Sequence, residues 1–451
     1  MKTSFDEEEI LSPDPEFVLR EEDGSVFLAR AGGQRIRTDR LGKAVWESLP
    51  GTAGGVVTRV RSQWNVSADL VRRLLELFFH AEIIISSAGE PSPRGYGAQG
   101  DISVIVITRN GEDHIRGCLE SLAAQTAAPL EVLVVDNAST DGTAGIVRRD
   151  FPRTRLLSLK KNIYFPGAVN LGLAEARGRF LMVLNDDTEL DPDCLLRLSL
   201  KMAAEPRAGA VAPMMKFFGL RGFINGLGNH VRAAGWGSDN FIGCVDAGQF
   251  AGLAEVPSAC FGAVLLRREA VREAGGLDTG YVAYYEDVDW SFRARLLGWT
   301  VVPEPEAVVY HKFGAFWKTQ ARKQAHVVRN RLRLVLKLFE GRTRGSFLRS
   351  YIREDIRGFL AYLRRGEFGL AAVYPRAYIA LLAGLPRVLL ARREILKTRS
   401  PGHGVEAILA LNPDFFSCLD ETQSPRLDAA AVFEYYRWGQ AEPHPPNHPE
   451  R

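Results

Sequence analysis

From residue 101 the chain alternates short apolar runs with amphipathic stretches: DISVIVITRN, EDHIRGCLESLAAQ, LEVLVVDN, TRLLSLKKN and GRFLMVLND. Runs this short and this rich in Val, Ile and Leu read as strands buried on both faces. In EDHIRGCLESLAAQ, Ile115, Leu119 and Leu122 share one helical face. Further helices are expected around Ala144 to Arg149 and Gly167 to Arg177. Such alternation predicts a parallel sheet with crossover helices, because parallel neighbours need a long return connection. All the strands then end on one edge, and ligands of open α/β sheets sit beyond that edge. The residues that close the strands converge there: Thr108, Arg109 and Asn110; Asp136 and Asn137; Asn162; Asn185, Asp186 and Asp187.

Two familiar nucleotide sites are excluded. The first turn, TRNGEDHIRG, lacks the G-x-G-x-x-G of a dinucleotide fold. Gly42-Lys43-Ala44 has neither the leading glycine nor the following Ser or Thr of a P-loop. What is left is a nucleotide held by acids. FLMVLNDDTELDP sets Asp186, Asp187, Glu189 and Asp191 just after a buried run, although adjacent carboxylates repel, so a cation or a substrate is implied.

VIVITRNGEDHIRGCLESL, VLVVDNASTDGT, NIYFPGAVNLGLAEARGRFLMVLNDDTEL and YYEDVDWSFRARLLGW resemble the family 2 inverting glycosyltransferases of the GT-A fold. The rhamnosyltransferase-like branch is the nearer resemblance, and it covers residues 101–340. It implies a nucleotide-diphosphate sugar as donor and Mn²⁺ or Mg²⁺ as cofactor, since a hard cation on oxygen ligands neutralises the leaving group and reconciles the adjacent acids. The family's Asp-X-Asp falls on Asn185-Asp186-Asp187, with Asn in place of the first acid. By resemblance Asp187 is the metal ligand and Asp186 touches ribose or metal, while Asp136 takes the pyrimidine and Thr108 and Asn110 complete the nucleotide contacts. Asn162 and Asn170 flank Gly167, where a small residue lets backbone approach the donor; helix capping is the alternative reading. Asp141-Gly142-Thr143 is expected to cap a helix, and Glu189 and Asp191 to start one.

An inverting transfer needs one base to deprotonate the acceptor hydroxyl. The resemblance gives that role to Asp287, with Glu286 orienting or binding the acceptor. Asp289 and Arg293 are spaced as an i,i+4 helix pair. CFGAVLLRRE resembles the strand that walls the acceptor side, with Gly262 and Ala263 leaving room and Arg267 and Arg268 as scaffold. His311, closing AVVYHKFG, corresponds to a further metal or diphosphate ligand.

At 451 residues, more than one domain is expected. Residues 1–90 read as strands turning at Asp23-Gly24 and Gly32-Gly33, followed by three helical patterns, the last capped at Ser67. Gly42, Val45-Trp46 and the stretch from Val66-Ser67 to Glu82 resemble a PqqD-like winged-helix module, implying a peptide partner docked on a strand edge. The basic Arg59, Arg61, Arg72 and Arg73 suit a DNA-binding winged helix, but the acidic DEEE and REED argue for no nucleic acid. The stretch 91–100 is a linker, residues 341–419 a basic amphipathic helical region and 420–451 a flexible tail. The fold class expected is therefore α/β: a GT-A domain with an N-terminal α+β winged-helix-like domain and a C-terminal helical extension.

The net charge of +3 hides an asymmetry, for residues 312–400 carry 21 Lys and Arg against 5 Asp and Glu. Leucines and aromatics interleave these bases, as on a helix lying on anionic lipid. LAAVYPRAYIALLAGLPRVLLA is interrupted by Pro375, Arg376, Pro386 and Arg387, so a peripheral contact is expected rather than a span. HVVRNRLRLVLK resembles the branch's membrane-proximal helix. The acidic start MKTSFDEEEIL and five cysteines without C-x-x-C spacing lead to a cytoplasmic expectation, at the inner face of the membrane. The acceptor expected is a hydroxyl of a cell-surface glycan or lipid-linked carrier, and the donor dTDP-rhamnose or a UDP-sugar. The rivals are a silent nucleotide-sugar or peptide binder, a membrane-surface scaffold, and glycosylation of a recruited peptide.

Overall fold

The computed structural model describes residues 10–13, 17–22, 25–30, 35–38, 45–49, 51–63, 84–86, 101–232, 238–246, 248–312 and 320–412. In the N-terminal part, strands Phe17–Glu22, Ser25–Arg30 and Arg35–Thr38 form an antiparallel sheet whose register pairs Glu22 with Ser25. Ile10–Pro13 lies between Gly51–Thr52 and Ile84–Ser86 in a second small sheet, and Ala53–Gln63 is a helix. The helix expected after Ser67, the linker, the tail and Cys418 lie outside the described residues.

The central sheet begins with β1 (Ile102–Thr108), α1 (Ile115–Ala123), β2 (Glu131–Asp136), α2 (Thr143–Asp150), β3 (Arg155–Ser158), α3 (Tyr164–Glu175) and β4 (Phe180–Asn185). All seven residues of β1 are buried, each Ile or Val contributing about 1.5–3 kcal/mol. Strands β3, β2, β1 and β4 are neighbours in that order and parallel, as the alternation predicts.

The chain then continues through β5 (Thr188–Leu190), α4 (Cys194–Ala204), β6 (Ala208–Phe217), β7 (Leu220–Gly226), β8 (Asn229–His230) and β9 (Ser238–Asp239). After these come β10 (Ala263–Arg267), α5 (Arg268–Ala274), α6 (Glu286–Leu296) and β11 (Thr300–His311). The sheet runs β5-β11-β6-β10-β4-β1-β2-β3, with β7 on β6. The purely parallel expectation needs correction: β10 is antiparallel to both β4 and β6, so the sheet is mixed. Glu189 is corrected too, since it lies on the short strand β5 and pairs with Lys312 at 3.0 Å rather than starting a helix. Arg267 and Arg268 are scaffold, donating to the carbonyls of Ala208, Met202 and Glu205 and of Gly178 and Ala176.

Helices α7 (Gln320–Leu338), α8 (Gly341–Arg364), α9 (Phe368–Ala371), α10 (Val373–Thr398) and α11 (Val405–Leu409) follow. The expectation that HVVRNRLRLVLK lies at the membrane is overturned. Its Val327, Val328, Leu332, Leu334 and Val335 are buried, and so are the charged Arg331 and Lys337. Arg331 pairs with Asp355 and Glu354, and Lys337 bridges Asp278 and Asp289. Charges are buried only when paired in this way, so α7 is a core helix. The segment Phe368–Thr398 is long and apolar enough to cross a membrane by length and composition.

Candidate active site

The ends of the parallel strands are tied to one another before any ligand is considered. The Thr108 hydroxyl donates to the Asp186 carboxylate. Gly111 lies against the same carboxylate so closely that a Cβ there would stand 2.0 Å from Asp186 Oδ2. Asn110 is left-handed, with φ 55°, and its Oδ1 accepts from Thr140 N–H at 2.8 Å. Asp136 Oδ1 accepts from Ser139 N–H at 2.9 Å, and Asn162 Oδ1 from Tyr164 N–H at 2.7 Å at the start of α3. Ala138 and Tyr164 are left-handed as well. Non-glycine residues in this region cost about 1–3 kcal/mol each, and such strain collects at functional turns. Gly167 sits inside α3, where a Cβ would press on Ile163 at 3.2 Å; helix packing accounts for its size. Asn170 pins the loop at Leu277, accepting from its N–H at 2.7 Å and donating to its carbonyl at 2.8 Å. Asp141 accepts from Thr143 N–H at the start of α2.

Asp186 and Asp187 are both buried. Burial and the neighbouring Asp187 charge push Asp186 well above the usual carboxylate range. Burial also works against Asp187, but the charge of His311 prevails and holds it low. The same pair raises His311 against its own burial. His311 Nε2 stands 3.5 Å from Asp187 Oδ1, while Nδ1 is hydrogen-bonded to Asn225 Oδ1 at 2.7 Å. A histidine oriented through its other nitrogen is the usual way to present a metal ligand.

These residues fit a divalent cation, because Asp187 Oδ1 is buried with no hydrogen-bond donor. Among the described residues no set of three His, Cys, Asp or Glu surrounds such a position. Asp187 and His311 would therefore share the ion with oxygens of a diphosphate and water, as suits a hard cation that keeps part of its hydration.

The second acidic group opens α6. Asp287 Oδ1 accepts from Val288 N–H at 2.8 Å and Oδ2 from Asn229 Nδ2 at 2.8 Å. Burial raises Asp287, and burial with the Asp287 charge raises Glu286 further; Glu286 Oε2 is buried without a partner. Asp289 is not part of this pair. It holds Arg293 at 2.8 Å, the expected helix pair, and Lys337 besides. Gly262 leaves only ordinary contacts for a Cβ, to Met215, Asn185 and Cys260.

Three residues escaped the sequence reading. Asn225 orients His311 and Asn229 holds Asp287. Asp239 is pushed to about 7 by burial and by the Asp287 charge, and it feels His311 as well. Asn225 and Asn229 thus connect the two acidic groups through β7 and β8, and Asn229 pairs with Asp239 of β9. Asn225, Asn229 and Asp239 lie in FINGLGNHVRAAGWGSDN, where neither periodicity nor spacing marks them.

Residues 103–275 match the model of Glycosyl transferase family 2. The mixed sheet with acids at its strand ends is an arrangement compatible with a nucleotide-sugar transferase of GT-A type, and the family match supports sugar transfer in general. The match stops short of Glu286, Asp287 and His311.

The chain is 29% identical over 231 residues to N-acetylglucosaminyl-diphospho-decaprenol L-rhamnosyltransferase of Mycobacterium tuberculosis, covering 47% of this chain and 75% of that one. It is 39% identical over 99 residues to the succinoglycan biosynthesis protein ExoO of Rhizobium meliloti, covering 22% of this chain and 28% of the relative. The homology to a rhamnosyltransferase is weak. Among solved structures, the GalNAc-T7 complex with UDP, GalNAc and Mn²⁺ aligns with TM-score 0.43 and 15% identity over 54% of this chain and 48% of that one. The Pyrobaculum calidifontis mannosyltransferase PcManGT with GDP-Man and Mn²⁺ aligns with TM-score 0.40 and 17% identity over 89% and 99%.

Proposed function

We propose that this protein is a metal-dependent inverting glycosyltransferase that moves a sugar from a nucleoside-diphosphate donor to a hydroxyl of a cell-surface glycan or lipid-linked acceptor. The observation that carries it is that Asp187 pairs with His311 while Asn225 and Asn229, on the neighbouring β7 and β8, bond His311 and Asp287.

A Mn²⁺ or Mg²⁺ ion held by Asp187 and His311 would neutralise the departing diphosphate. Asp136 accepts from the pyrimidine edge, and Thr108, Asn110 and Asn162 line the nucleotide side. Asp186, fastened to Thr108, contacts ribose or metal. Asp287 takes the proton of the acceptor hydroxyl as that oxygen attacks the anomeric carbon. Its raised pKa suits a base working near neutrality. Glu286, kept protonated by burial, donates to the acceptor from its unpartnered oxygen.

Weak homology to a rhamnosyltransferase favours dTDP-rhamnose, with UDP-sugars next. The PqqD-like reading of residues 1–90 supplies a second possibility, a modified peptide as acceptor.

The membrane contact belongs to α8 and α10, at the inner face. On α8 the exposed Ile352, Ile356, Leu360 and Leu363 follow one helical stripe, and on α10 so do Ile379, Leu382, Leu389 and Leu390. Phe368, 69% exposed, stands between the two helices. Arg349, Arg353, Arg357, Arg364, Arg365, Arg376, Arg387 and Arg393 are exposed on the same segment, against the exposed acids Glu367 and Glu394. Apolar stripes edged by arginines suit anionic lipid.

The test is thermal stability against UDP, dTDP and GDP, each with Mn²⁺ and with a chelator. A shift for one nucleotide that vanishes with chelator supports the reading and identifies the base. No shift with any of the three sinks the donor site and leaves the silent peptide binder.

A further inference from the structure

Asp287 is reached through an unusual turn. Within Val282–Tyr285 three residues that are not glycine have positive φ: Val282 at 69°, Tyr284 at 67° and Tyr285 at 70°. A β-branched residue such as Val282 is a conformational outlier there. Tyr285 is also the N-cap of α6, and its side chain makes no capping bond. The turn therefore does not follow from local preference, and something else must hold it.

The hold comes from α7. Asn330 is fully buried, and its Nδ2 lies within hydrogen-bond reach of three loop carbonyls. These are Tyr281 at 3.0 Å, Ala283 at 2.7 Å and Tyr284 at 2.8 Å. An amide has two N–H donors, so one of them is shared. Arg329 Nη2 donates to the carbonyls of Gly280 at 2.9 Å and Tyr281 at 2.8 Å, and its Nε donates to Asn330 Oδ1 at 2.9 Å. The side-chain pair thus gathers the carbonyls of a strained loop and is fixed by a bond within the pair.

We infer that Asn330, seconded by Arg329, is a positioning residue: it locks the Tyr281–Tyr285 turn so that Asp287 faces the acceptor hydroxyl. This rests on Asp287 being the base. The clamp acts on the acceptor side alone, because the nucleotide side is built from the ends of β1, β2 and β4 and, among the described residues, shares no hydrogen bond with Asn330 or Arg329. A purely structural asparagine would loosen both sides together.

The experiment replaces Asn330 in the full chain by Asp, which keeps the size, removes the donors and sets an oxygen against the carbonyls. Turnover is read as nucleoside diphosphate release from dTDP-rhamnose, UDP-glucose and UDP-N-acetylglucosamine with Mn²⁺, with water as the acceptor of the sugar. Asn330→Asp should lower kcat about 10- to 100-fold, the scale of a misplacement near 1 Å, with KM for the donor within about twofold of wild type. Hydrogen exchange of residues 281–287 should speed up while β1 and β4 stay protected. Equal losses of kcat and donor affinity, or unchanged exchange in the loop, overturn the inference. If Asn330→Asp does not fold, Arg329→Met is judged by the same criteria, and full kcat in that folded variant overturns it equally. Asp287→Asn is run alongside: if it keeps wild-type turnover, the base assignment has failed, whatever Asn330 does.

Discussion

Asp287→Asn should separate activity from stability, moving the two in opposite directions. Asp287 is buried, and its pKa is raised from 3.8 to about 6, with burial as the main cause. A raised acid means that the folded state binds the proton more tightly than the unfolded chain. Its stabilisation is therefore present at low pH and is lost as pH rises from the unfolded value through the folded one. Asparagine does not titrate, so the variant escapes this loss. A shift of about two units corresponds to on the order of 1–3 kcal/mol above pH 7.

The hydrogen bonds survive the exchange. Asn229 Oδ1 is buried without a donor, so turning the Asn229 amide lets it accept from the amide introduced at position 287. The assay is thermal melting of metal-free protein at pH 5 and pH 8, paired with turnover. Asp287→Asn should melt above wild type at both pH values, with the margin at pH 8 about twice that at pH 5, while turnover falls about 10²- to 10⁴-fold. A variant that melts lower at pH 8 would refute the burial argument, and one with full turnover would refute the base.

His311→Gln should remove the Mn²⁺-dependent part of the nucleotide-induced melting shift and leave the metal-free melting point within a few degrees, read by the same melts. Arg331→Leu should destabilise by about 3–5 kcal/mol in denaturant titration, because it strands the buried Asp355. Ile356→Glu with Leu382→Glu should abolish sedimentation with vesicles of anionic lipid and leave nucleotide binding unchanged; retained sedimentation would remove the stripes on α8 and α10 from the membrane contact.

The parallel half of the sheet was legible because its information is local. Strands β1, β2 and β4 announce themselves as apolar runs, and the polar residue closing each run falls at the shared edge whatever the remaining topology. Asp136, Asp186 and Asp187 were accessible for that reason. The acceptor side was not, since Asn225, Asn229 and Asp239 come from short strands without periodicity and meet Asp287 or His311 only through tertiary packing. Composition misled at α7: leucines alternating with arginines look the same whether the arginines face lipid headgroups or buried carboxylates. Only Asp278, Asp289 and Asp355, remote in sequence, decide between the two. The antiparallel β10 was likewise invisible, because an apolar run carries no sign of its direction.

The clamp on the Tyr281–Tyr285 turn has a consequence for how the molecule comes into being. During synthesis Thr108, Asp136 and Asp186 are made before Arg329 and Asn330, so these strand ends can form while the turn bearing Asp287 is still unfastened. Only when Arg329 and Asn330 dock does the strained turn close. Completion of the acceptor side thus waits for α7, after the strand ends of the nucleotide side have been made.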